Sequence, residues 1–251
     1  MSPNIETVNI LGVHFANLTS ADLLTQVSEA LAARKKFTVF FTSVNSVNCC
    51  YHTKGYREVL NSASVVTPDS YGILLAARIM GRPFKEQKQI STDYFMVHLL
   101  PWMNEQEVCL FLVGSTEDVN LKARQNIQRQ YHRIRVLGGI SPFGDLDELS
   151  SATVLEAINN ANPDVVLVSF GNPKQEQWIA RCASRLNAPI IMNAGGFLDY
   201  LAGSVPYAPP IFHRLNLVWL FRLCIQPWKM WKRYIIGNPL FILRVIKARV
   251  M

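Results

Sequence analysis

Four short segments place polar side chains or glycines directly behind apolar runs, and together they can build one site. In FFTSVNSVN, Thr42 ends such a run and Ser43 and Asn45 follow it; hydroxyls and amides at a strand-to-helix junction cap the helix or meet a ligand. In VVTPDSYG, Asp69 stands at a run's end and Gly72 opens a helical stretch. A carboxylate there is a turn or cap residue on one reading, and on the other a general base for an attacking hydroxyl. In SFGNPKQEQW, Gly171 and Pro173 make a turn and Lys174, Gln175 and Glu176 open a helix. Free N–H groups at a helix start, joined by an ammonium, attract phosphate, although an ordinary first turn also prefers a residue like Glu176. In NAGGFLDYLAG, the pair Gly195-Gly196 either lets a ligand approach the backbone or makes a tight turn. Each segment alone says little, and the four together point to a shared site without naming its reaction.

Those segments need a frame that brings strand ends to one place. The continuous apolar runs Thr38–Thr42, Ser64–Thr67, Val108–Val113, Ile134–Leu137, Val165–Ser169 and Ile190–Asn193 read as strands buried on both faces. Between them, Leu23, Leu24, Val27, Ala30 and Leu31 keep helical spacing, as do Val154, Leu155, Ile158 and Ala161, with Ser20 and Asp118 as cap or first-turn residues. Alternation of β and α predicts an α/β fold, a mostly parallel sheet sandwiched by helices, with its site at the C-terminal strand ends. Gly203 and three prolines in YLAGSVPYAPP mark a change of character, which divides the chain into an α/β core over 1–203 and a helical appendage over 204–251.

Common alternatives find little support in the sequence. No GxGxxG follows the first predicted strand and no GxxxxGK[ST] occurs. The five histidines are dispersed, and the five cysteines form neither a CxxC pair nor a Cys/His cluster. That argues for a reducing compartment and against a structural metal site. The one DxD triplet, Asp145-Leu146-Asp147, precedes a helical stretch and reads as a helix cap rather than a metal-diphosphate ligand. The first fifteen residues lack the basic start and apolar core of a signal peptide.

Charge is strongly segregated. Of the 25 Lys and Arg, eight lie beyond Asp199, which is the last acidic residue, and the first 199 residues hold 17 basic against 18 acidic side chains. The tail also carries Phe212, Trp219, Phe221, Trp228, Trp231, Tyr234 and Phe241 among aliphatic residues, with no apolar stretch long enough to span a bilayer. Aromatic and basic residues on helical spacing describe a segment lying on an anionic membrane surface, or else a helical subdomain packed on the core. Lys229, Lys232 and Arg233 share one helix face, with Pro227 placed to start that helix, and such a face suits a diphosphate.

The ordered set TSVN, PDSYG, GNPKQEQW, GGFLDYLAG, YAPP, WLFRL and QPWKMWKRY resembles the WecG/TagA/CpsF family of glycosyltransferases, from about Thr38 to about Pro239. The resemblance implies an inverting, metal-independent hexosyltransferase with no cofactor. It would move a sugar from a UDP-sugar to an undecaprenyl-diphosphate-linked saccharide in the synthesis of teichoic acid, common antigen, capsule or exopolysaccharide. Its fold would be an α/β sandwich distinct from the two commonest glycosyltransferase folds. It would work as a peripheral protein on the cytoplasmic face of the bacterial inner membrane. Asp69 falls on the family's proposed base, with Asn45 and Thr42 beside it. Gly114, Gly171, Pro173, Lys174, Gln175, Glu176, Gly195 and Gly196 make the donor side. Arg222, Lys229, Lys232 and Arg233 fall on the tail positions expected to grip the lipid diphosphate. The chain departs from the family pattern at Ser70 (usually Gly), at Ser91-Thr92-Asp93 (without the usual glycine), at Val218 (usually Glu) and at Lys229 (usually Arg). These departures bear on which sugars are used.

Two other readings stay open at this level. A nucleic-acid-binding protein would use the basic aromatic tail, although its aromatics sit among Leu and Ile rather than Gly, Ser or Asn. A soluble nucleotide-sugar-modifying enzyme would use the tail only structurally. Burial of Leu-rich helices in a homo-oligomer is compatible with the composition.

Overall fold

The computed structural model describes residues 5–142 and 144–250. Eight strands are present: β1 Thr7–Ile10, β2 Val13–Ala16, β3 Phe37–Thr42, β4 Val65–Pro68, β5 Cys109–Gly114, β6 Arg135–Ile140, β7 Val165–Ser169 and β8 Ile190–Asn193. The last six form one parallel sheet in the order β4-β3-β8-β7-β5-β6, as the apolar runs predict. Every residue of β3, β4, β5, β7 and β8 is buried. Alternate side chains feed two cores. Phe40, Phe111, Val113, Val166 and Ile191 face one, while Val39, Phe41, Leu110, Leu112, Leu167 and Met192 face the other. At about 1.5–3 kcal/mol for each fully buried large apolar side chain, these two layers dominate the fold's stability.

Two elements differ from the sequence-based expectation. The strand expected over Ile134–Leu137 runs on to Ile140, since Gly138 and Gly139 continue an edge strand with a register shift against β5 rather than ending it. The antiparallel hairpin β1–β2 is not among the predicted runs, because each of its strands has only four residues and includes exposed positions. The helix Ser20–Ala32 is capped by Thr19 and closed by a reciprocal bond to Asp22, leaving Ser20 as its first residue. Thr116 caps the helix Glu117–Gln130, with Asp118 in its first turn.

The tail forms the short helices Pro210–Arg214, Val218–Ile225 and Pro227–Trp231, a π-helical turn Lys232–Ile236, and the final helix Gly237–Val250. Pro227 does start its helix, where its missing N–H has no intrahelical role. The final helix joins the body. Phe241 and Val245 are buried in the same cluster as Val44, Val47, Ile73 and Ala77. Asn48 Nδ2 donates to the Gly237 carbonyl at 2.8 Å, and Arg244 donates to Asn48 Oδ1 at 2.6 Å while lying 3.8 Å over the Tyr51 ring. Among the described residues no helix is long and apolar enough to cross a membrane.

Candidate active site

A cavity of about 1090 Å³ opens over the C-terminal ends of the central strands, and the tail helices form its other wall. Parallel strands bring their ends together here, which is why segments far apart in sequence share one space. Asp69, directly behind β4, lies in the cavity lining. Its own N–H donates to the Thr42 carbonyl at 3.0 Å, continuing the β3–β4 pairing by one residue. Its Oδ1 accepts the Thr92 N–H at 2.8 Å, at the start of the helix Thr92–Glu105. Burial, with Asp93 adding repulsion, pushes the Asp69 carboxyl from its ordinary 3.8 up to about 7, against the pull of the Thr92 N–H, Arg233 and Arg222.

The neighbours of Asp69 divide into those that face the cavity and those that frame it. Asn45 and Ser43 face it, and Ser43 Oγ accepts from Arg233 at 3.1 Å. Thr42 is fully buried and off the lining, where it orients Asp69 through its carbonyl rather than its hydroxyl. Ser70, where the resembled family usually has glycine, has a local role: its hydroxyl accepts the Val44 N–H at 3.1 Å at the start of the helix Val44–Cys49. Gly72 lies so close to that helix that an added Cβ would stand 2.6 Å from a Val44 methyl.

Across the cavity, Gly171 and Gly195 both lie on its lining, with φ of +77° and +53° and open space where a Cβ would project. The N–H groups of both donate to Gln175 Oε1 at 3.2 Å. Four members of the expected donor set stand off the cavity for identifiable reasons. Lys174 donates to the Gly144 carbonyl at 3.0 Å on the exposed side. Pro173 follows a cis peptide bond and serves as the cap position of the helix Lys174–Cys182. Gly114, at φ +100°, packs against β7, where a Cβ would meet the Ser169 carbonyl at 2.5 Å. Glu176 is 0% exposed and engaged entirely by protein groups. Gln175, Gly171, Gly195 and Gly196 remain on the lining.

The tail contributes cations. Arg222, Lys229, Lys232 and Arg233 all line the cavity. Arg222 lies 5.8 Å over the Tyr200 ring, its Nη2 3.2 Å from where a Cβ on Gly196 would be, and its Nε is buried without a partner among the described residues. Lys232 and Arg233 lie over Trp231 and Tyr234. Among the described residues, no ion pair involves a cation of the tail.

The DxD triplet is a cap, as read from sequence. Asp145 Oδ1 accepts from the N–H groups of Asp147 and Glu148, and Asp147 pairs with Arg181. Sequence reasoning missed Tyr56, Asn172 and Asn193, which surround Glu176. Asn193 offered one signal, an amide closing an otherwise apolar strand; Tyr56 offered none.

Comparison with known proteins identifies a family. The model of the Glycosyl transferase WecG/TagA/CpsF family matches residues 8–251. Among curated relatives, a protein of Staphylococcus aureus (strain MRSA252) named N-acetylglucosaminyldiphosphoundecaprenol N-acetyl-beta-D-mannosaminyltransferase is 29% identical over 98% of this chain and 94% of its own length. Its counterpart of the same name in Staphylococcus aureus (strain COL) matches at the same 29% identity and coverage.

Proposed function

The chain belongs to the WecG/TagA/CpsF family of glycosyl transferases, and from that premise we propose that it moves a sugar from a UDP-sugar to a saccharide on undecaprenyl diphosphate, with inversion. The work is done at the cytoplasmic face of the bacterial inner membrane, in the synthesis of a cell-surface polysaccharide. Support for the acceptor comes from the relatives, whose names carry a diphosphoundecaprenol substrate. Support for membrane-surface work comes from the tail, where Trp228 is 91% exposed and Ile235 and Leu243 are also open, beside Lys229 and Lys232, which have no ion-pair partner among the described residues.

The observation that carries this reading is that Asp69 lines one cavity with the glycine turns and the tail cations. Asp69 takes the proton of the acceptor hydroxyl as that oxygen attacks the anomeric carbon, and UDP leaves from the opposite face of the sugar. A carboxyl lifted to about 7 is matched to that task, because it is both ionised and basic near neutral pH. Asn45 and Ser43 border the hydroxyl's approach. The glycine turns, which present no side chain, leave room for the donor. Arg222, Lys229, Lys232 and Arg233 supply the positive charge that a leaving UDP and a lipid diphosphate both require, and this scheme calls on no metal.

The test offers purified protein a panel of UDP-sugars together with N-acetylglucosaminyl-diphosphoundecaprenol and follows UDP release. Wild type releases UDP with at least one donor, and Asp69→Asn slows release about a thousandfold. Undiminished release by Asp69→Asn removes Asp69 from the base role, and no release with any donor overturns the reaction class.

A further inference from the structure

Glu176 is a fully buried carboxylate that touches neither the cavity nor any cation, yet it is the meeting point of four elements. Its Oε2 accepts from Tyr56 Oη at 2.9 Å. Its Oε1 accepts from Gln175 Nε2 at 2.7 Å, Asn193 Nδ2 at 2.7 Å and Asn172 Nδ2 at 3.0 Å. The orientation of two of these amides is imposed from outside. Gln175 must turn its oxygen to the N–H groups of Gly171 and Gly195, and Asn193 must turn its oxygen to the Phe41 N–H at 2.7 Å. Both therefore point their NH₂ groups at Glu176. Four donors facing one group match the all-acceptor character of an ionised carboxylate. Burial pushes this carboxyl up, and the donors from Gln175, Asn193 and Tyr56 pull it back.

Three of these four bonds lead toward the cavity. Through Gln175, Glu176 holds the Gly171 and Gly195 turns at one spacing. Through Asn172, which also donates to Ser46 Oγ at 2.8 Å, it ties the first turn to the helix behind β3. Through Asn193 it reaches β3 itself. The backbone pairing of β3 with β8 ends at Val39 and Met192, and beyond it the Asn193 side chain takes over, bonding both the N–H and the carbonyl of Phe41. One residue further, the Thr42 carbonyl accepts the Asp69 N–H.

We propose that Glu176, anchored by Tyr56, is a positioning residue that holds the donor-side glycine turns and β3, the strand whose end accepts the Asp69 N–H, in one register without touching substrate. The donor half of this statement rests on the proposed UDP-sugar site; the register itself does not. Replacing a charged hub by a neutral one weakens each charge-assisted bond and puts an NH₂ among donors, so the turns loosen while the tail cations, which belong to other elements, keep their places.

The test compares full-length wild type with Glu176→Gln and with the milder Tyr56→Phe, which removes one donor and keeps the ring. In Glu176→Gln, amide hydrogen exchange is expected to quicken about tenfold in peptides covering 170–175 and 193–197 and to stay unchanged in the helix Glu117–Gln130. The Kd for UDP rises about tenfold and kcat falls, while the KM for the lipid-diphosphate acceptor is unmoved. Tyr56→Phe shows the same pattern at about threefold. Unchanged exchange in those two peptides in both variants overturns the proposal. A rise spread evenly along the chain also overturns it, since general destabilisation produces that. If wild type binds no UDP while the local exchange contrast is present, the donor reading fails and the positioning role stands.

Discussion

On the body side of the cavity, Gln175, Glu176, Asn172 and Asn193 spend their hydrogen-bonding capacity on one another and on the backbone. On the tail side, Lys229 and Lys232 have no carboxylate within ion-pair distance among the described residues, and Arg222 keeps a buried Nε without a partner. The two walls follow opposite rules. Polar groups that satisfy each other hold a shape; polar groups left with spare capacity are free to hold something else. Asp69 stands between them, fixed by two backbone bonds and lifted in pKa by its surroundings.

The sharpest way to break this contrast is at Asp69 itself. Asp69→Asn removes the base, so kcat falls about a thousandfold. In wild type, kcat falls about tenfold per pH unit below about 7, as the carboxyl takes up its proton, and the variant's residual rate shows no such limb. The sign for stability is the reverse of the usual carboxylate. The folded protein retains a proton up to about 7 that the unfolded chain gives up near 3.8, so this site lowers stability as pH rises through that window. Denaturant titrations of wild type and Asp69→Asn across those pH values check it, the variant losing that part of the dependence.

Next comes the division within the tail. Phe241 is fully buried in the body's core, so Phe241→Ala destabilises by about 3–5 kcal/mol in urea unfolding, whereas Leu243→Ala, at 64% exposed, leaves the midpoint in place. The lysines belong to the other rule. Lys229→Ala combined with Lys232→Ala raises the acceptor KM about tenfold, more at low salt than at high, because both side chains are exposed and screened; Tm and donor KM stay put. The smallest effect is expected at Trp228, 91% exposed, where substitution by Ser reduces sedimentation with anionic vesicles a few-fold and leaves soluble-substrate turnover alone.

The sheet was legible because continuous apolar runs have few other uses, and all six appear where the runs lie. The hairpin β1–β2 escaped because its strands have only four residues each and include exposed positions. In the site, Lys229, Lys232 and Arg233 could be read from their spacing on one helix face, whereas Asp69 stayed open between cap and base, and Arg222 drew notice only through the family resemblance. The role of the PKQE segment could not be read. Lys174 and Glu176 look like a phosphate-binding helix start, and only the packing sends one to Gly144 and buries the other beneath Tyr56. Hydrogen bonds between side chains distant in sequence leave no periodicity to read. Ser70 is intermediate: as a departure from the family's glycine it draws notice, and its bond to the Val44 N–H explains it.

The pairing of β3 with β8 has a consequence for how the chain comes to be made. Phe37 lies beside Ile190, and the helix that follows β3 is covered by Phe241 and Val245. During synthesis from the N-terminus, β3, whose end holds the Asp69 N–H, therefore waits for neighbours encoded far downstream, first β8 and then the helix Gly237–Val250. Such long-range closure is slow and leaves β3 with an open edge until late. A nascent chain that has not yet delivered its final helix holds every residue of the glycine turns and the base, but not the floor on which they are set. The floor of the site is set only once the helix Gly237–Val250 has been made, and that helix belongs to the surface proposed to face the membrane.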